Sequence, residues 1–244
     1  MPVGAAHSRV ALVTGASRGI GRGIALRLAR DGFDIAFSYQ RDEPAAAAVA
    51  DEIRQVGRRA WVQRCDMGEL AQVRRLVQQA HEGLGRLDVF VNNAGGAIRK
   101  AFDDITPEDY DWQFAQAKGC FFALQEAARL LQPEGRLVVI TSAATRSCPA
   151  DAALYAGAKL AMEGFARCLS RQAGSRGITV NVVAPGATRT DLLANAPAHI
   201  IESVKRNSFG RMAEVEDVAD AVAMICGADA RWLTGQILRA DGGL

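Results

Sequence analysis

Tyr155 and Lys159, in the run Tyr155-Ala156-Gly157-Ala158-Lys159, share one face if that segment is helical. A phenol alone titrates near ~10, too high for ready proton exchange at neutral pH. An ammonium beside it favours the phenolate and tunes the group toward acid–base work. Ser142 lies thirteen residues before Tyr155, and its hydroxyl can donate to a carbonyl oxygen on which charge develops. The chemistry these three side chains suit is proton transfer at a carbonyl or alcohol oxygen, with Tyr155 as acid or base. A Tyr-x-x-x-Lys pair also arises by chance on helix surfaces, so its weight comes from what accompanies it.

A glycine loop accompanies it. Thr14-Gly15-Ala16-Ser17-Arg18-Gly19-Ile20-Gly21 follows an apolar run and opens a helix. Three glycines there allow a tight turn, close backbone approach to a pyrophosphate and close helix packing, with the phosphates on the helix N-terminus. Loop glycines without a ligand are the bland alternative. The second strand ends Phe37-Ser38-Tyr39-Gln40-Arg41, so Tyr39 stands where an acid would bind a ribose hydroxyl. Arg18 and Arg41 can instead hold a 2′-phosphate, which favours NADP(H) over NAD(H). Arg41 as a solvated surface charge is the alternative, and Asp42 opposes its field.

These residues need a frame. Apolar runs at Val10–Val13, Asp34–Ser38, Ala60–Gln63, Asp88–Val91, Arg136–Ile140, Thr179–Val183 and Ile237–Arg239 alternate with helical stretches near 20–30, 44–56, 69–83, 107–131, 152–173 and 215–226. The pattern predicts an α/β fold: a doubly wound parallel sheet of about seven strands, helices on both faces, in one domain over 9–244. Residues 1–8 are expected to form a flexible tail, and 186–210, with Pro197, a substrate loop. Of 244 residues 49% are hydrophobic, 23% charged and 24 are glycine, which excludes general disorder. A net charge of +2 gives no reason to expect nucleic acid, and no apolar run is long enough for a membrane span. Five cysteines without close pairing point to reduced thiols in the cytoplasm. His7, His81 and His199 have no ligand spacing, so no metal is expected. Arg58-Arg59 reads as a solvated face. Trp61, Trp112 and Trp232 read as packing residues, as does Cys148, whose alternative is to line the pocket.

With Asn92-Asn93-Ala94-Gly95 after the fourth strand, and Thr234-Gly235 and Asp241-Gly242-Gly243 closing the chain, the sequence resembles the short-chain dehydrogenase/reductase family. It looks most like the 3-oxoacyl carrier-protein reductases of the compact branch. The resemblance implies a Rossmann-type fold, with Asp66 on the adenine and Asn92 ordering the fourth strand and the cofactor. It adds Ala94 and Gly95 to the cofactor's surroundings, and has Lys159 hold the nicotinamide ribose beside Tyr155. Pro185-Gly186-Ala187-Thr188-Arg189-Thr190 matches the family's P-G-x-x-x-T, which puts Pro185, Gly186, Thr188 and Thr190 against the cofactor. It further implies a homotetramer built on the long helices and last strand, and a small carbonyl or alcohol substrate, possibly carried on acyl carrier protein.

One departure stands out. The family carries a catalytic Asn midway along the helix after Thr106-Pro107, at a kink that holds a relay water. Here the helix reads Phe114-Ala115-Gln116-Ala117-Lys118-Gly119-Cys120. Counting from either end puts Gln116 or Ala117 at that place, so one residue is missing. Either the helix straightens and the relay changes, or Gln116 substitutes. The favoured function is an NADPH-dependent carbonyl reductase acting on 3-oxoacyl thioesters. The rivals are an alcohol, sugar or steroid dehydrogenase, and a cofactor-binding protein with impaired catalysis.

Overall fold

Near-continuous apolar runs build the sheet in the computed structural model, which describes residues 8–193, 201–202, 204–205 and 207–244. The strands are β1 (Val10–Val13), β2 (Asp34–Tyr39), β3 (Ala60–Arg64), β4 (Val89–Asn92), β5 (Arg136–Ile140), β6 (Thr179–Pro185) and β7 (Ile237–Ala240). All neighbours pair in parallel, in the order β3-β2-β1-β4-β5-β6-β7. The helices are α1 (Gly19–Arg30), α2 (Glu43–Gln55), α3 (Leu70–Leu84), α4 (Pro107–Leu130), α5 (Ala144–Ser147), α6 (Ala153–Ala173) and α7 (Val215–Cys226).

Alternate residues of each strand feed two cores, one per face. Ala11 and Val13 join Ile24, Phe37 and Val222 under α1, α2 and α7; Val10 and Leu12 join Leu76, Cys120 and Met162 under α3, α4 and α6. A sheet buried on both faces needs apolar residues at every position, which is why the strands read as unbroken apolar runs.

Local chemistry sets the helix starts. Thr106 caps α4 in a reciprocal box, accepting from Asp109 N–H while the Asp109 carboxylate accepts from Thr106 N–H, with Pro107 at the first turn. α4 then runs as regular α-helix for 24 residues. β6 continues beyond its expected end to Pro185, because Ala240 of β7 pairs with that residue and accepts from Gly186 N–H.

Several expectations are corrected. Trp232 does not pack; it is 93% exposed. Arg59 lies exposed, as expected, though it also donates to the buried Asp34 carboxylate and the Leu84 carbonyl. Cys148 is exposed, in a left-handed conformation at the end of α5. The expected tail and substrate loop fall partly outside the described residues, which omit 1–7, 194–200, 203 and 206.

Candidate active site

The order of strands reverses between β1 and β4, which opens a crevice at the carboxyl ends of the sheet. Both chemical clusters of the sequence meet there. After β1 the chain turns through Gly15 and Gly19, both at positive φ (66° and 55°). A Cβ on Gly15 would stand 2.9 Å from Ala94 Cα and Cβ, and one on Gly21 would overlap the Gly15 carbonyl. α1 begins with no side-chain cap and no acid in its first turn, so its free N–H groups and positive dipole end are left for an anion. Ser17 and the exposed Arg18 sit in the loop, and Ile20 packs on the core beneath.

The loop is locked to the turn after β4. Thr14 Oγ1 accepts from Asn93 N–H and Ala94 N–H, both at 2.9 Å, and Asn93 Nδ2 donates to the Thr14 and Gly15 carbonyls. Ser38 supports the other side, its hydroxyl and carbonyl accepting from Gly15 and Ala16 N–H. From β6, Gly186 backs onto Asp241, where a Cβ would come within 2.9 Å of Asp241 Cα. Thr188 is buried and donates to the Gly186 carbonyl; Thr190 packs 3.4 Å from the Cβ position of Gly19. Thr190 therefore sits beside the glycine loop.

At the far end of the cradle, Tyr39 is packed into the core while Arg18 and Arg41 are exposed. Among the described residues neither guanidinium has an ion pair or hydrogen bond. Asp66 is pinned: its carboxylate accepts from Gln40 Nε2 and Gly68 N–H.

At the reacting end, Lys159 is buried and its Nζ donates to the Ile140 carbonyl at 2.8 Å. The same Nζ lies 6.0 Å from the Tyr155 ring centroid and 3.5 Å from the Cβ position of Gly95. Tyr155 is partly exposed, and Ser142, just past β5, is held by its Oγ accepting from Ala144 N–H and by Thr145 bonding its carbonyl. Asn92 is fully buried, with both amide atoms unpartnered among the described residues. The bonds that tie this turn to β1 come from Asn93 instead.

A cradle that leaves no room for side chains at Gly15 and Gly21, an uncapped helix start and a buried lysine at the opposite end fit a dinucleotide. The family model described as Enoyl-(Acyl carrier protein) reductase matches residues 15–244. A short-chain dehydrogenase from Burkholderia cenocepacia, crystallised with NADP, superposes with a TM-score of 0.93 at 39% identity over 96% of this chain and 97% of that one. The chain belongs to the short-chain dehydrogenase/reductase family. The hydroxynaphthalene reductase-like protein Arp2 of Metarhizium brunneum is 39% identical over 96% of this chain and 94% of its own. The angucycline C-6 ketoreductase LanV, solved with bound NADP, is 38% identical with a TM-score of 0.90, covering 96% of this chain and 95% of its own.

In this dehydrogenase/reductase helix α4 is regular throughout. Gln116 Nε2 lies 3.9 Å from the Cβ position of Gly68, beside the turn that carries Asp66, and Ala117 is buried in the core. Gly119 rests directly on the Met67 carbonyl, where a Cβ would overlap it. Thr14 and Asn93 were not assigned a role from the sequence, since their partnership depends on β1 and β4 being neighbours. A Thr before the first loop glycine and a second Asn after β4 are the signals that could have found them.

Proposed function

We propose that this protein is an NADPH-dependent ketoreductase. The carrying observation is the convergence of the Tyr155–Lys159 pair and Ser142 with the glycine cradle at one crevice. When bound, the nicotinamide supplies the hydride. Ser142 donates a hydrogen bond to the substrate carbonyl oxygen, and Tyr155 delivers the proton that makes the alcohol. Lys159, buried beside Tyr155, favours the phenolate and binds the nicotinamide ribose. The loop from Gly15 to Gly21, with Thr188 and Thr190, takes the phosphates. Asp66, Asn92, Ala94, Gly95, Pro185 and Gly186 line the rest. Arg18 and Arg41 receive the 2′-phosphate, a reading supported by their freedom from other partners and by the NADP-bound relatives. Gln116, at the Asp66 turn, serves the adenosine side and stays out of the reaction.

The 3-oxoacyl thioester class, with its acyl carrier protein, rests on the resemblance alone. Fused-ring phenolic ketones have separate support in the names of the hydroxynaphthalene reductase-like protein and the angucycline ketoreductase. Trp112 adds to it: its half-exposed indole packs over Gly96, next to Gly95 at the reacting end, and offers a flat apolar wall. Exposed Phe121 and Leu160 on α4 and α6, and Met224 and Trp232 near β7, support assembly into a homotetramer. Five free thiols support a reducing, cytoplasmic setting. NADPH oxidation measured against a 3-oxoacyl thioester, an enoyl thioester, a hydroxylated naphthalene ketone and a sugar tests the reading. Turnover of a ketone supports it; turnover of the enoyl thioester alone would overturn it.

A further inference from the structure

β5 ends in Ile140, followed by Thr141 and Ser142, and α6 grips the first two. Lys159 Nζ donates to the Ile140 carbonyl at 2.8 Å, and one helical turn on, Glu163 Oε1 accepts from Thr141 Oγ1 at 3.0 Å. Thr141 is fixed in turn by its N–H on the Val183 carbonyl. Lys159, Thr141 and Glu163 are 5%, 4% and 7% exposed. Among the described residues Thr141 is the one hydrogen-bond partner of Glu163, and no cation stands within ion-pair distance of it.

A buried carboxylate held by a single hydroxyl is costly unless its charge is balanced nearby. Lys159, four residues earlier on the same face and equally buried, is placed to balance it. Of the other groups around this stretch, Arg167, exposed one turn beyond Glu163 on α6, carries an opposing charge at the surface, while Lys159 shares the burial of Glu163. From α4 comes Cys120, whose burial pushes its thiol up to about 12 and keeps it neutral. From the end of β4 comes Asn92, with Gly95 beyond it, and from the chain just past β5 come Thr141 and Ser142. On α6 itself stand Tyr155 and the exposed Arg167.

We propose that Glu163 is the counter-charge of Lys159, a positioning residue that limits how far the ammonium favours the Tyr155 phenolate while Thr141 ties it to the strand that presents Ser142. The inference rests on reading Tyr155 and Lys159 as the acid–base pair. Glu163 lies two helical turns from Tyr155, ~12 Å along the axis.

The test is an ultraviolet titration of phenolate, with Tyr155→Phe subtracted to isolate Tyr155 from Tyr39 and Tyr110. Glu163→Gln keeps an acceptor for Thr141 but removes the charge, and should move the Tyr155 midpoint downward. Glu163→Asp, which keeps the charge, and Thr141→Val, which removes only the hydroxyl bond, should stay near the wild-type value. Circular dichroism checks folding, and Glu163→Met carries the same expectation should the Gln variant not fold. An unmoved midpoint in the charge-removing variants, or an equal shift in Thr141→Val, would overturn the proposal. The titration needs no turnover: failure of every ketone would sink the ketoreductase reading while leaving the midpoint shift to stand or fall by itself.

Discussion

Gly119 of α4 lies against the backbone carbonyl of Met67, so the helix that lacks the family's Asn is pressed onto the turn carrying Asp66. Backbone cannot step aside as a flexible side chain can, so Gly119→Ala should cost ~1–3 kcal/mol. Gly164 in α6 has open space around its Cβ position, and Gly164→Ala should gain up to ~1 kcal/mol from helix propensity. Thermal unfolding of the two variants checks both signs. Equal melting temperatures would mean α4 is not seated as described.

Gln116 belongs to the same contact. Gln116→Ala should raise the KM for NADPH a few-fold and leave kcat within about threefold, since it removes binding common to ground and transition states. A hundredfold fall in kcat at unchanged KM would return Gln116 to the proton relay.

Cofactor choice rests on two unpaired guanidiniums. Arg41→Glu places a carboxylate where we propose the 2′-phosphate is held, and should weaken NADPH at least about tenfold while leaving NADH little changed. Fluorescence titration with each nucleotide measures it. Equal losses for both would make Arg41 a solvated surface charge.

The cysteines divide by burial. Desolvation pushes the Cys65, Cys120 and Cys226 thiols up to about 12, while Cys148 and Cys168 are exposed. The thiolate is the reactive form, so a colorimetric thiol reagent at mildly alkaline pH should modify two of the five in the native protein and all five in denaturant. Rapid modification of a third would show that a core cysteine is accessible.

Much of this arrangement was readable in the residues, for physical reasons. Strands buried on both faces leave unbroken apolar runs, and glycines mark the turns between them, so the seven strands were found within two residues at their ends. Motifs that are local in sequence, such as Gly15 to Gly21 and Tyr155 to Lys159, needed only a strand or helix to acquire a geometry. What depends on neighbours was not readable. Glu163 four residues after Lys159 looks like any exposed helical pair until β5 is seen covering it. Trp232 looks like core until the packing leaves it outside. α5, four residues without periodicity, has no sequence signal at all. The residue expected to be missing from α4 can be counted two ways in the sequence, and the contact of Gly119 with Met67, which shows where the helix meets the Asp66 turn, is invisible there.

In the proposed reaction Tyr155 is the proton donor of an NADPH-dependent ketone reduction. Steady-state kinetics of Tyr155→Phe on a ketone turned over by the wild type, with NADPH affinity measured alongside, tests it most directly. Tyr155→Phe should lose at least about 10²-fold in kcat with affinity for NADPH nearly unchanged. Retention of wild-type turnover by Tyr155→Phe would contradict it.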